Sequence, residues 1–270
     1  MDSERIVLVT GATDGIGRET ALQLAKKGYH VIVHGRYKAR AEEAKHWIQH
    51  HAPGVPVAVE TAVADFAVLR EVRHLADDIA SRHGHLDVLV NNAGIYANDP
   101  MLTIDGWEST FGVNHIAPFV LTLGLLPLLR AAAAGRVVNV SSAAHSRGHI
   151  EPRSFRSLDR FESYHAYAQS KLANVLFTVE LQARAPELAV NALHPGVVST
   201  KLLTEGFGIR GHDSLGEAAA TSIWLASAPE AGKLRGTYCV RSHPATPSTA
   251  ARDPELAKLL WSHSERALSA

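Results

Sequence analysis

Apolar residues in this chain follow two alternating patterns. Short, nearly continuous runs rich in valine, isoleucine and leucine are each followed by a longer segment with apolar positions at helical spacing. Continuous runs mark strands buried on both faces, and their alternation with helical segments predicts parallel βαβ units. The runs place strands at Arg5–Val9, Tyr29–His34, Val55–Glu60, Leu86–Val90, Arg136–Val140, Ala189–Leu193 and Gly236–Val240. Helices are expected over Arg18–Lys27, Ala39–His50 (ended by Pro53-Gly54), about Phe66 to His83, 105–130, Tyr164 to about Arg184, and Leu215–Ser227. A last helical segment, Pro254–Leu268, carries Leu256, Leu259, Leu260 and Trp261, which can pack back on the body. No repeat and no linker divides the chain. A single α/β domain over residues 1–270 is expected, with a polar flap at 143–163, a glycine-bearing loop at 201–216 that reads as mobile, and a tail at 243–270.

Composition narrows the function classes. Apolar residues make up 46% of the chain, enough for a substantial core, while Lys+Arg and Asp+Glu both total 27. That balance gives no electrostatic argument for nucleic acid or an acidic membrane as partner. The single cysteine, Cys239, excludes an intrachain disulfide and agrees with a reducing compartment. The first ten residues do not read as a secretion signal, and the uncharged run Ile116–Leu129, broken by Pro118 and Pro127, reads as a buried helix rather than a membrane span. The expectation is a cytoplasmic protein with no membrane partner. Sixteen histidines are scattered with no pair at metal-ligand spacing, so no metal site is expected.

The most informative stretch is Val9-Thr10-Gly11-Ala12-Thr13-Asp14-Gly15-Ile16-Gly17, lying between the first strand and the first helix. Glycines there let the backbone turn tightly and approach a ligand, and the N–H groups and positive end of the new helix suit a pyrophosphate. An ordinary glycine-rich turn is the alternative; strand before and helix after favour a dinucleotide site through Gly11, Thr13, Asp14, Gly15, Ile16 and Gly17. Arg36 follows the second strand, nineteen residues after Gly17. An acidic residue at that offset would bind the ribose hydroxyl of NAD, whereas an arginine accepts the extra phosphate of NADP. Arg36, with Lys38 and Arg40 nearby, therefore points to NADP(H), with NAD(H) as the second candidate; an exposed cationic helix start is the plainer reading. Asp65, beyond the third strand, is placed to bond an adenine amino group, to cap the following helix, or both. Asn91-Asn92-Ala93-Gly94 ends the fourth strand at the edge where ligands of open parallel sheets sit, so Asn92, Ala93 and Gly94 are expected to line the cofactor channel.

Two further features carry chemistry. Tyr167 and Lys171 are four apart and share one helix face. A surface pair of this kind is common, but here Ser142 closes the fifth strand at the same sheet edge. A phenol with a free pKa of about 10 is a poor base at neutral pH. A lysine cation at roughly 5 Å, in an effective dielectric near 20, is expected to lower it by about 3 kcal/mol, or some two units. An oxidised nicotinamide would lower it further. Tyr167 would then exchange a proton with a substrate oxygen as hydride moves, with Ser142 bonded to that oxygen and Lys171 holding the nicotinamide ribose.

Taken in order, Thr10 to Gly17, Asn91-Asn92-Ala93-Gly94, Asn114, Ser142, Tyr167-x-x-x-Lys171 and Pro195-Gly196 resemble the short-chain dehydrogenase/reductase family over roughly residues 5–240. The segments 136–145, 170–178 and 194–198 resemble its retinol-dehydrogenase-like branch. The resemblance implies a seven-stranded parallel Rossmann-type sheet and a catalytic set of Asn114, Ser142, Tyr167 and Lys171. It also implies a water held by Asn114 that links Lys171 to solvent, and nicotinamide contacts from Val198 and Thr200 beside Pro195. Subunit pairing through the helices near 105–130 and 164–184, as a homodimer or homotetramer, is implied too. The expected activity is an NADP(H)-preferring interconversion of an alcohol with an aldehyde or ketone. The alternative is an NADP(H)-occupancy sensor or scaffold with little or no turnover.

Overall fold

Residues Ile6–Val9 form strand β1, and their side chains sort by parity: Ile6 and Leu8 enter one apolar cluster, Val7 and Val9 the other. That double burial fixes the architecture. In the computed structural model, which describes residues 4–54, 58–208 and 210–268, β1 lies within a single sheet. Its other strands are β2 (His30–Gly35), β3 (Val59–Val63), β4 (Val88–Asn91), β5 (Arg136–Val140), β6 (Ala189–His194), β7 (Tyr238–Val240) and β8 (His243–Pro244). The order is β3-β2-β1-β4-β5-β6-β7-β8, parallel through β7. Chain order reverses between β1 and β4, which opens a crevice beyond their carboxyl ends.

Helices α1 (Gly15–Lys26) and α2 (Lys38–His51) cover one face together with α7 (Leu215–Ser227). On the other face lie α3 (Leu69–Arg82), α5 (Ala117–Ala131) and α6 (Ser163–Arg184). A three-residue α4 (Ser109–Phe111) and a π turn (Gly112–Ile116) lead into α5, so that one helical rod spans Ser109–Ala131. By length and composition this rod is apolar enough to cross a membrane, but 78% of its most apolar window is buried inside the protein. It begins at Ser109, later than the pattern suggests, because the Glu108 carboxylate accepts from the Thr110 and Phe111 N–H groups at 2.8 Å each.

The seven expected parallel strands are present, and an eighth is added. A tight turn through Arg241 (φ 50°) and Ser242 (φ 59°) folds β8 antiparallel onto β7. The third strand is displaced: it runs over Val59–Val63, not Val55–Glu60, and Val55–Val57 lie outside the described residues. Its register is set by β2, from Val31 opposite Val59 to Gly35 opposite Val63. Helix α3 starts at Leu69 and is capped by the Asp105 carboxylate at 2.8 Å. Asp65 therefore does not cap it; its side chain accepts from Ala67 N and holds the preceding turn.

The flap is anchored rather than loose. It contains two 3₁₀ turns, and Phe155 stacks on Phe111 with ring centroids 4.1 Å apart. The tail forms α8 (Pro254–Ser264), which buries Leu260 and Trp261 but leaves Leu259 43% exposed, against expectation. Trp261 packs on Phe119 of α5 and Phe177 of α6, and Ser264 meets His115 at 2.9 Å. The α5–α6 side chains at this point are thus covered by the chain's own tail, so pairing of two copies here would require the tail to move.

Candidate active site

The expected site residues converge at the carboxyl end of the sheet. Thr10 follows β1, and its hydroxyl accepts from the Asn92 and Ala93 N–H groups at 3.0 Å each. The Asn92 amide donates to Thr10 O at 2.8 Å and Gly11 O at 3.2 Å. The β1–α1 and β4 loops are therefore sewn together. Two glycines permit this. A Cβ on Gly11, already at φ +63°, would meet Ala93 Cα at 2.9 Å, and one on Gly17 would meet Gly11 O at 2.3 Å. The bare backbone and the first-turn N–H groups of α1, at Ile16 and Gly17, have the shape and polarity to hold a pyrophosphate. Thr13 seats its methyl against Gly35, where a Cβ would come within 2.3 Å.

Asp14 caps α1 by accepting from Gly15 N at 2.8 Å. Arg18 (3.8 Å), Arg40 (3.8 Å) and Lys201 (3.4 Å) surround its carboxylate. Partial burial pulls its pKa up, but the Gly15 hydrogen bond, Lys201 and Arg18 outweigh it, leaving the carboxyl below the usual range. Arg36 stands just past β2, exposed, with its guanidinium over the Tyr37 ring at 4.5 Å. Among the described residues it has no carboxylate partner. Asp65 is half-buried at the same rim. On the far side of the crevice, the loop after β6 carries Pro195, Val198 and Thr200. Val198 is buried, and Thr200 comes within 3.5 Å of where a Gly15 Cβ would stand. Gly196 (φ +97°) turns this loop, and Asp213 fixes it by accepting from Val197 N at 2.6 Å.

The chemistry-bearing side chains lie deeper. Helix α6 presents Tyr167 and Lys171, which are 6% and 3% exposed, and the Lys171 Nζ is 5.5 Å from the Tyr167 ring centroid. Lys171 donates to Val140 O at 3.2 Å. Ser142 caps the first 3₁₀ turn of the flap, accepting from Ala144 N at 3.2 Å, and its hydroxyl faces the Tyr167 phenol closely enough to favour the ionised form. Asn114 lies in the π turn, a device common at functional sites. Its amide donates to Ile95 O at 2.9 Å and Ser170 Oγ at 3.0 Å, while its carbonyl accepts from Ile95 N at 2.7 Å. A methyl group on Gly94 would sit 3.3 Å from Asn114 Oδ1 and 3.4 Å from Lys171 Nζ, so these three residues meet. Tyr96 and Phe207 cover the phenol, with ring centroids 5.5 and 5.1 Å from that of Tyr167.

Electrostatics departs from expectation at the phenol. Burial pushes Tyr167 up to about 12, against the pull of the Ser142 hydroxyl. The anticipated lowering by Lys171 is absent: burial depresses that amine to about 8, so it is already neutral in the range where the phenol titrates.

Thr10 and Asn91 stand in the motifs read from the sequence, but their pairings do not, and His34, Asn139 and His145 escape that reading as functional residues. Thr10 is the hinge pin between two loops. Asn91 donates to Asn139 and Thr122, and Asn139 donates to Thr178, forming a buried polar ladder beneath the site. His34 accepts from Gly11 N at 3.3 Å through Nδ1 and so donates to Ala64 O through Nε2 at 3.1 Å. Burial lowers its pKa to about 4 and keeps it neutral. His145 joins Ser142 O (2.7 Å) to Ser248 N (3.1 Å) of the tail. Only an unexpected polar residue within an apolar run, as at His34 and Asn139, offered a signal.

The chain is similar to known proteins. The sequence profile of the short chain dehydrogenase family matches residues 5–207. Human "Retinol dehydrogenase 13" is 38% identical over 97% of this chain and 84% of its own length. Among solved structures, an uncharacterised protein from Mycobacterium Paratuberculosis superposes with a TM-score of 0.82 at 35% identity, covering 98% of this chain and 94% of that one. A short chain dehydrogenase from Escherichia coli CFT073, complexed with NADPH, gives 0.73 at 27% identity over 88% of this chain and 97% of that one. Glycine loop, buried Tyr–Lys pair and these likenesses agree: the chain belongs to the short-chain dehydrogenase/reductase family, in its retinol-dehydrogenase-like branch, as an NAD(P)-dependent enzyme acting on CH–OH groups.

Proposed function

We propose that this enzyme prefers NADP(H) and interconverts an apolar aldehyde or ketone with its alcohol, using Tyr167 as general acid and base. The observation that carries the reading is a phenol buried with Ser142 and Lys171 beside a glycine cradle. The coenzyme, when bound, supplies or accepts the hydride and, oxidised, brings a positive ring to the site. Gly11, Thr13, Gly15, Ile16, Gly17 and Asn92–Gly94 would hold its pyrophosphate and floor the channel. Arg36 would meet the ribose phosphate, Asp65 the adenine, Lys171 the nicotinamide ribose, and Pro195, Val198 and Thr200 the nicotinamide side; Asp14 acts through the α1 cap. Support for the coenzyme preference comes from Arg36 having no carboxylate partner among the described residues and from the NADPH carried by the Escherichia coli relative.

Ser142 would hydrogen-bond the substrate oxygen and fix it beside the phenol. Held protonated by its burial, Tyr167 is a proton donor at neutral pH and can protonate an oxygen gaining negative charge during reduction. Lys171, titrating at about 8, is suited to pass a proton onward near neutrality. Asn114 positions the relay by fixing Ile95 and Ser170. Tyr96, Tyr164 and Phe207 make the approach to the phenol aromatic, which favours a substrate with a large apolar group next to its oxygen. The lone buried Cys239 is in keeping with a cytoplasmic setting.

The test is kcat/KM with NADPH and with NADH over a panel of aldehydes, ketones and alcohols, for the wild type and Arg36→Ala. The proposal expects turnover of apolar substrates, an NADPH preference, and loss of at least about tenfold of that preference on replacement, as for a lost charge-assisted phosphate contact. NADH preference in the wild type would overturn the role of Arg36. Binding of coenzyme without turnover on any substrate would favour the sensor reading.

A further inference from the structure

At the opposite end of the sheet from the active site, three separate elements bring together His30 at the start of β2, Glu60 in the edge strand β3, and His83 just past α3. One ligand atom from each lies within 4.8 Å of those of the other two. Parity explains the meeting. His30 and Ile32 project from the same face of β2, Ile32 is in register with Glu60, and α3 covers that face and delivers His83 at its end.

The site holds an unresolved polar group. His30 is 7% exposed, and among the described residues neither ring nitrogen has a hydrogen-bond partner. Its Nε2 comes within 2.6 Å of Glu60 Oε1, but without the alignment of a hydrogen bond. His83 Nε2 hydrogen-bonds Glu60 Oε2 at 3.3 Å, and the two imidazoles meet edge to face at 5.3 Å. Two buried His30 nitrogens with no hydrogen-bond partner among the described residues, one of them aimed at a carboxylate, suit a cation, and two imidazoles with one carboxylate are a donor set for zinc-like divalent ions. Glu4, 3.5 Å from His30 Nδ1 and largely exposed, stands at the mouth. Arg82 competes, since its guanidinium pairs with Glu60 Oε2; it also holds Asp78 at 2.8 Å and retains that partner if it leaves Glu60.

We infer that His30, Glu60 and His83 form a structural binding site for one zinc-type divalent ion, which ties the edge strand β3 to β2 and to the end of α3. An ion there would join the edge strand of the sheet to a helix without touching the catalytic crevice.

The full-length protein, stripped with chelator, is titrated with Co²⁺ followed by visible absorption and with Zn²⁺ followed by calorimetry and thermal unfolding. The expected result is one tightly bound equivalent, Co²⁺ bands of low coordination number, and a saturable rise in Tm. Glu60→Gln and His83→Gln should each weaken binding by about tenfold or more, with kcat unchanged. Arg82→Ala, which removes the competing cation, should tighten it by about fivefold, the equivalent of ~1 kcal/mol for a partly exposed ion pair. This variant keeps every ligand and decides the matter if a ligand variant unfolds. The double variant His50→Gln/His51→Gln, on exposed imidazoles elsewhere, should bind as the wild type does. No stoichiometric binding, binding that survives both ligand variants, or unchanged or weaker binding in Arg82→Ala would overturn the inference.

Discussion

Replacing Lys171 with methionine should make the folded protein more stable at neutral pH while removing its chemistry. The side chain is 3% exposed, and burial depresses its amine from 10.5 to about 8. At 1.36 kcal/mol per pKa unit, that depression sets roughly 3 kcal/mol against the folded state at pH 7. The sign follows from counting protons. Below pH 8 both states carry the proton and the penalty is complete. Between 8 and 10.5 only the unfolded chain holds it, so stability rises with pH, and above 10.5 the penalty is gone. Methionine keeps an unbranched side chain that packs readily and removes the charge. The hydrogen bond lost, to Val140 O, does not leave that carbonyl bare, because Asn174 Nδ2 also donates to it at 3.3 Å. Allowing about 1 kcal/mol for the lost bond leaves a net gain of roughly 2 kcal/mol. For a chain of this size that raises Tm by roughly 4–8 °C. Urea unfolding followed by circular dichroism at pH 7 and pH 10 is the assay. The advantage of the variant should be clear at pH 7 and close to zero at pH 10. A variant less stable than the wild type at pH 7, or an advantage equal at both pH values, would refute the claim that the site holds a desolvated ammonium.

Acid should expose a second set of buried groups. His34 and His115 are held neutral by burial, with pKa values lowered to about 4 and 3. As pH falls below 6.5 the unfolded chain takes up protons that the folded one refuses, and by pH 4.5 each histidine costs roughly 2–3 kcal/mol of stability. His115→Gln should flatten the acid limb of a stability–pH curve by about that amount, and an unchanged slope would contradict the assignment. In the glycine loop, Gly17→Ala drives a methyl group into Gly11 O and Asn92, so coenzyme affinity measured by fluorescence titration should fall by about tenfold or more. Gly216→Ala, where a Cβ meets nothing within 4 Å, serves as its control. Equal affinity in the two variants would mean that the loop is not the coenzyme's seat.

What the sequence disclosed and what it hid have physical reasons. Strands buried on both faces, such as Ile6–Val9 and Arg136–Val140, announce themselves as apolar runs and fall within a residue or so of expectation. The edge strand does not. Val59–Val63 includes half-exposed Glu60 and Thr61, and its register comes from hydrogen bonding to β2, so the more apolar run just before it misled the reading. The eighth strand was invisible because its hairpin turn uses Arg241 and Ser242 in left-handed conformations where glycine or asparagine would have signalled it. Helix starts moved where a distant carboxylate does the capping, as Asp105 does for Leu69. The site residues were legible because glycines, amides and the Tyr167–Lys171 spacing are local patterns. The shift of Tyr167 to about 12 was not, because it depends on how completely Tyr96 and Phe207, remote in sequence, exclude water. The aromatic cover of the phenol and the laying of Trp261 across α5 and α6 are tertiary facts of the same kind.

The central claim is that the Tyr167 hydroxyl carries the proton that accompanies hydride transfer. Its most direct test is single-turnover reduction of an aldehyde by Tyr167→Phe, followed by coenzyme absorbance, with coenzyme affinity measured in parallel. Loss of the hydroxyl should slow the hydride step by about 10²–10⁴-fold while leaving coenzyme affinity within about twofold. A hydride step within a few-fold of wild type would contradict the account.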